Sequence, residues 1–228
     1  MIKYLFLDLD NTILDFTKAE SVAIRKTMSV YGLEPTDALA RRYSEVNDRH
    51  WKALERGELT RDQVVVGRFA AFFGEQGIAV DAAAVAKTYE TLLSQGHYFL
   101  PGAEEAVERL SKKYRLFLAS NGTASVQKGR MTSANLYRFF ETVFVSQEIG
   151  YNKPSVEYFN ACFDSIAGFD KEKAIIVGDS LSSDIKGGIN AGIDTCWYAP
   201  HGRSAPPDLA ITYTVRHLMD IAPIILED

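Results

Sequence analysis

The sequence predicts an α/β protein: a doubly wound parallel sheet interrupted, after its first strand, by an all-helical module. Three observations carry this. Residues Ile2 to Leu7 are almost wholly apolar, as in a strand buried on both faces. From Asp15 to about Gly96 there is no strand pattern, only helical periodicity broken by turns. From Phe99 onward short apolar runs alternate with helical stretches, the pattern of parallel strands joined by crossover helices. The expected division is a Rossmann-like core over 1–14 and 97–228, with a helical cap over 15–96.

Taken in order, the first strand leads directly into Asp8-Leu9-Asp10-Asn11-Thr12. A helix from Lys18 to Tyr31 stops at Gly32, and Thr36 caps a second that reaches Arg56-Gly57. Thr60 caps a third helix, through Phe73-Gly74, and Asp81 a fourth, from Ala82 to Ser94. Leu100-Pro101-Gly102 forms a turn before a helix over Ala103 to Lys113. The strand Leu116 to Ala119 ends in Ser120-Asn121-Gly122, and a helix follows over about Ala124 to Ala134. Next come a strand at Thr142 to Val145, a helix at Tyr158 to Ala167, and a strand at Ala174 to Val177 ending in Gly178-Asp179. A helix from Ser182 to Ala191 is stopped by Gly192, and the strand Thr195 to Tyr198 follows it. A last strand is expected near Leu209 to Thr212, then a terminal helix from Val215 that Pro223 kinks or ends.

With 228 residues, 46% hydrophobic and 24% charged, the chain can bury a sizeable core. A net charge of −5 argues against a nucleic-acid surface, which needs a clustered basic face. Cys162 and Cys196 lie far apart without metal spacing and read as buried thiols in a reducing compartment. No apolar run approaches the ~20 residues of a membrane span, and the N-terminus shows no signal-peptide pattern. A cytoplasmic protein, monomer or homodimer, is expected.

The polar residues at Asp8 and Asp10, at Ser120 and at Asp179 all fall at carboxyl ends of strands, where open α/β sheets bind ligands. Two carboxylates two residues apart at the end of a buried strand repel each other and are costly to desolvate. A divalent cation relieves that cost, and a hard oxygen site suits Mg²⁺. A carboxylate can attack phosphorus and divide a hard hydrolysis into two easier steps. On this reading Asp8 is the nucleophile and a metal ligand. Asp10 is the general acid/base, its backbone carbonyl also reaching the metal. Ser120 donates to the phosphoryl oxygens, assisted by Asn121 and the N–H groups around Gly122. Lys153 neutralises Asp8 and the transferring group. Asp179 binds the metal, Asp184 acts through water or from behind it, and Thr12 steadies the turn after Asp10. Taken singly, Ser120-Asn121-Gly122 reads as a turn, Lys153 as a loop lysine and Asp179 as a helix cap.

DLDNT at Asp8 to Thr12, Ser120 after an apolar strand, Lys153-Pro154, and GDSLSSD at Gly178 to Asp184 together resemble the four motifs of the haloacid dehalogenase (HAD) superfamily. The helical insertion resembles that superfamily's class I cap. The resemblance covers essentially the whole chain. Asn11 departs from the Asp or Gly often found there. The dehalogenases proper lack a second aspartate at the place of Asp10, so the resemblance implies a phosphatase. A narrower similarity, to YjjG/YfnB-type nucleotide 5′-monophosphatases, rests on Ile13 to Phe16, on Tyr43, Asn47, Trp51, Glu55 and Gly57, and on Arg68-Phe69 and Phe72-Phe73. Leu100 to Ala103 and Asn121-Gly122 add to it. It implies a Mg²⁺-dependent enzyme acting on a small phosphorylated metabolite, a nucleoside monophosphate, pyrimidine or non-canonical.

Residues read beside that resemblance extend the candidate site into the cap. Phe16 lies at the expected hinge. Asn47, His50 and Trp51, at i, i+3 and i+4, share one helix face that could stack a base and read its edge. The same Trp51 could equally be cap core with Tyr43, Leu54 and Phe69. His97, His201 and His217 show no metal spacing, and Gly187 to Gly192 ends a helix rather than opening one. Two alternatives remain: a phosphatase or phosphomutase for a sugar phosphate or other small metabolite, and a binding protein without turnover. The second is disfavoured because Asp8, Asp10, Lys153 and Asp179 are all present.

Overall fold

The structure is a computed structural model that describes residues 1–202 and 204–226. Among these residues one sheet forms, from β1 (Tyr4–Leu7), β2 (Arg115–Ser120), β3 (Thr142–Val145), β4 (Ala174–Gly178), β5 (Asp194–Tyr198) and β6 (Tyr213–Val215). The strand order is β3-β2-β1-β4-β5-β6 and every pairing is parallel. Alternate residues of β1 enter opposite layers. Leu5 and Leu7 join the cluster around Val107, Leu118 and Val177, while Tyr4 and Phe6 join Phe117, Phe159 and Ile176. Both faces are covered, which is why β1 reads as an unbroken apolar run. Full burial of each such side chain stabilises the fold by about 1.5–3 kcal/mol.

Between β1 and β2 the chain forms α1 (Phe16–Val30), α2 (Asp37–Glu55), α3 (Arg61–Glu75), α4 (Ala82–Leu93) and then α5 (Ala103–Ser111). Helices α1 to α4 enclose their own core, in which Tyr43 stacks on Phe69 at 5.4 Å and meets Tyr89 at 5.4 Å. Local chemistry sets their starts. Asp15, Thr36 and Asp81 each accept a backbone N–H of the first turn, and Thr60 forms a reciprocal capping box with Gln63. The segments leading into and out of this module run side by side: Asp15 N donates to Tyr98 O and Leu100 N to Ile13 O.

The remaining helices are α6 (Ala124–Ser133), α7 (Ser146–Ile149), α8 (Val156–Asp164), α9 (Lys186–Ala191) and α10 (Ile221–Leu226). Two sequence expectations need correction. The last strand is Tyr213–Val215, not Leu209 to Thr212; Leu209 and Ile211 instead pack against Trp197, so their apolar signal reflects burial without a ladder. The terminal helix starts at Ile221 rather than Val215, and Pro223 sits in its first turn, where the missing N–H costs nothing. The helix expected over Ser182 to Ala191 is present; its first residues, within Leu181–Ile185, are a wide π-helical turn with Ile185 N donating to Ser180 O, and α9 continues from there. No described helix is long and apolar enough to cross a membrane.

Candidate active site

β2, β1 and β4 are neighbours at the centre of the sheet, so the residues at their carboxyl ends converge. Asp8 follows β1, Ser120 ends β2 and Asp179 follows β4. The loop between α7 and α8 brings in Lys153, almost wholly buried. Its ammonium donates to Asp8 Oδ1 at 2.8 Å, Asp184 Oδ1 at 2.6 Å and Ala119 O at 2.5 Å. Carboxylate oxygens of Asp8, Asp179 and Asp184 lie within 4.8 Å of one another.

These groups shape one another's charge. Burial lifts the Asp8 carboxyl well above its usual range; Lys153 opposes the shift, and Asp184, Asp10 and Asp179 add to it. Burial works against the Lys153 charge, but Asp184 and Asp8 outweigh it and hold the ammonium protonated. Asp184, expected to act at a distance, reaches the centre directly because the wide turn after β4 points it inward. Its Oδ2 accepts Ser180 N at 3.1 Å, and a Cβ at Gly178 would collide with it.

Asp10 is held from α6. One carboxylate oxygen accepts Arg130 Nη1, and the other accepts Gln127 Nε2 at 2.6 Å. The same Gln127 nitrogen donates to Ser120 Oγ at 2.8 Å, and Gly122 N donates to that oxygen at 3.1 Å. With two donors on its oxygen, Ser120 keeps its own hydrogen to give into the cavity. Asn121 uses both amide atoms on the Lys153 backbone, accepting its N–H and donating to its carbonyl at 2.8 Å each. It therefore sets the position of Lys153. Thr12 is fully buried off the cavity wall, and its Oγ1 accepts Asp179 N at 3.2 Å. Asn11 takes up a left-handed backbone (φ 59°), which asparagine tolerates, and its side-chain oxygen accepts the N–H groups of Phe16 and Thr17.

A cavity of about 290 Å³ separates these groups from the helical module. Phe16, Glu20, Asn47, Trp51, Arg68 and Glu90 line its far wall. Glu20 is buried and accepts Ser44 Oγ and Asn47 Nδ2, both at 2.6 Å; burial pushes its carboxyl up while these two bonds pull it back. Asn47 Oδ1 in turn accepts Arg68 Nη1 at 2.7 Å. Arg68 Nε and Glu90 Oε1 are buried with no hydrogen-bond partner among the described residues. The guanidiniums of Arg61 and Arg68 lie 5.5 Å and 5.9 Å from the centre of the Trp51 ring. His50, expected on the same face, bonds Val46 O at 2.7 Å and is not on the wall.

Sequence reasoning missed Gln127, Arg130, Glu20, Glu90 and Arg61, and Arg68 entered only through the resemblance. The first two carry a legible signal: Gln127, Arg130, Met131 and Ala134 stand at i, i+3, i+4 and i+7, so two polar residues sit on a core-facing stripe, and all four are buried. Arg61, the first residue of α3, crosses to the core. It donates to the carbonyls of Asn121 and Gly122 at 3.1 Å each, to Ser146 Oγ at 2.5 Å and to Asn152 Oδ1 at 2.7 Å.

A parallel sheet that gathers a carboxylate cluster and a buried lysine at its strand ends now has a family. Residues 4–198 match the model of haloacid dehalogenase-like hydrolases, and the chain belongs to that family. Over 221 residues it is 38% identical to the putative HAD-hydrolase YfnB of Bacillus subtilis, covering 97% of this chain and 94% of that one. It is 36% identical to the pyrimidine 5′-nucleotidase PynA of Streptococcus pneumoniae (96% and 93% covered) and 27% identical to the pyrimidine 5′-nucleotidase YjjG of Escherichia coli (97% of each). The crystal structure of YfnB, described as bound to magnesium and as revealing interdomain movement, superposes with a TM-score of 0.93 over 98% of both chains. Solved L-2-haloacid dehalogenases such as that of Xanthobacter autotrophicus, at 16% identity and TM-score 0.77, share the fold.

Proposed function

We propose that this protein is a Mg²⁺-dependent phosphomonoesterase that hydrolyses nucleoside 5′-monophosphates, pyrimidine ones foremost, through a phosphorylated Asp8. The observation that carries the reading is Lys153 bridging Asp8 and Asp184, with Asp179 beside them and Asp10 two residues from Asp8. An Asp8 oxygen attacks phosphorus and the bond from phosphorus to the ester oxygen breaks, while Asp10 protonates the departing oxygen. Asp10 then takes a proton from water, the water oxygen attacks phosphorus, and the Asp8–phosphorus bond breaks to release phosphate. Lys153 and the Ser120 hydroxyl stabilise the phosphoryl oxygens. Asp8, Asp179 and Asp184 form an all-oxygen donor set close enough together to share one Mg²⁺. When bound, the ion offsets the negative charge that gathers in the transition state. The names of PynA and YjjG support the nucleotide preference.

The far wall of the cavity supports the same substrate. A pyrimidine edge offers ring carbonyls and, in uracil and thymine, an N–H; Arg68 Nε and Glu90 Oε1 supply a buried donor and a buried acceptor without partners. The test is phosphate release across nucleoside 5′-monophosphates, sugar phosphates and p-nitrophenyl phosphate. The highest kcat/KM is expected on a pyrimidine nucleotide, and Asp8→Asn is expected to abolish release while the thermal midpoint holds. A sugar phosphate turned over as efficiently would remove the nucleotide assignment. Residual turnover by Asp8→Asn would remove the nucleophile.

A further inference from the structure

Arg130 is buried completely, an environment arginine rarely enters unless it is paired. Its bonds lead in two directions. Nη1 donates to the Asp10 carboxylate, and Nε donates to Gly96 O at 2.9 Å. Its guanidinium also lies 5.7 Å from the Phe16 ring. Gly96 and Phe16 stand where the chain leaves and enters the helical module, so one side chain touches both connections and the carboxylate two residues beyond Asp8. Gly96 packs closely on α1, where an added Cβ would come within 2.8 Å of Ala19 Cβ. The carbonyl that Arg130 grips is thus held against α1. Among the described residues Arg130 makes no hydrogen bond to Asp8 or Lys153.

We propose that Arg130 is a positioning residue that aims the Asp10 carboxylate at the leaving oxygen and ties that aim to the seating of the helical module. This rests on the reading of Asp10 as the group that protonates the leaving oxygen. A planar guanidinium on one carboxylate oxygen and Gln127 on the other fix the plane of the carboxyl group, and the side that remains free faces the cavity. Removing Arg130 frees Asp10 to rotate. Asp8 and Lys153 keep their geometry, so phosphoryl transfer suffers in proportion to its need for a proton.

The test compares kcat/KM for a nucleoside 5′-monophosphate and for p-nitrophenyl phosphate in the full chain with Mg²⁺. This parameter ends at the first irreversible step, transfer to Asp8, before the water step that both substrates share. A nucleoside alkoxide leaves only when protonated, whereas p-nitrophenolate leaves unaided. In Arg130→Gln the nucleotide value is expected to fall about 100-fold, the scale of general acid catalysis, and the p-nitrophenyl value several-fold at most. Arg130→Lys keeps a buried cation and should show a smaller selective loss; it decides the matter if the glutamine variant does not fold. In an Asp10→Asn background neither change should cost the nucleotide reaction anything further. Equal losses on both substrates, or full additivity with Asp10→Asn, would overturn the assignment and leave Arg130 as packing. A wild-type protein inactive on both substrates would overturn the phosphatase reading, and this one with it.

Discussion

Asn47 and Asn121 show how little a side chain's identity says about its task. Each lines the cavity, and each spends both amide atoms on other residues: Asn121 on the Lys153 backbone, Asn47 on Glu20 and Arg68. Each amide keeps a second N–H and a second lone pair, but the bonds already made fix its orientation. On the Asn47 side, what faces the cavity is the aromatic surface of Trp51 and the buried polar atoms of Arg68 and Glu90. Stacking of a base on an aromatic side chain contributes about 1–3 kcal/mol. Trp51→Ala should therefore raise KM for nucleoside monophosphates about tenfold or more and affect p-nitrophenyl phosphate less. Equal increases, measured side by side, would assign Trp51 to packing. The two thiols take no part: burial pushes Cys162 and Cys196 up to about 12, far from reactive thiolate.

Among the elements, α3 does two separable jobs at its first turn. Thr60 caps it through a reciprocal pair with Gln63, a local arrangement. The next residue, Arg61, is half-buried, and burial lowers its pKa; its acceptors on the core are carbonyls, a hydroxyl and an amide. Ser182 on Glu55 makes a second link between module and core, at 2.8 Å. Thr60→Ala should lower stability by about 1 kcal/mol with KM unchanged. Arg61→Ala should raise KM several-fold, because the helical module no longer seats over Asn121 and Gly122. Denaturant unfolding and steady-state kinetics on the two variants separate these effects, and a KM change in Thr60→Ala would merge them.

At the scale of the molecule the sheet concentrates negative charge at one point, and Lys153 offsets only part of it. The folded Asp8 carboxyl binds its proton more tightly than the ordinary 3.8 implies. Its contribution to stability is therefore greatest in acid and is lost as pH rises through the raised value. On the proposed function, Mg²⁺ would take the proton's place. The metal should raise the thermal midpoint, and more so near neutral pH than in mild acid; a shift that shrinks with pH would contradict this. Chelation should silence phosphate release and Mg²⁺ restore it, with Ca²⁺ a poor substitute because its looser coordination disturbs in-line geometry. Full turnover in chelator would remove the metal from the reaction.

Much of this arrangement was legible along the chain, for a physical reason: strand burial, helix caps and strand-end carboxylates act over a few residues. The apolar run of β1, the caps at Thr36, Thr60 and Asp81, and the acidic turn after Leu7 are local, and the order of strands and helices left few topologies open. The motifs at Asp8, Ser120, Lys153 and Asp179 each mark a strand end or loop beside the centre of such a sheet. Local pattern misled where burial came without pairing, as at Leu209 and Ile211. What only the tertiary structure decided was which further polar groups meet across long stretches of chain: Arg130 with Asp10 at a separation of 120 residues and Arg61 with Asn152 at 91. The stripe around Arg130 marks a core-facing side, but the partner of such an arginine is known only once the opposing face is in place. The cost of burying its charge, which makes Arg130 and Arg68 informative, exists only once the chain has closed around them.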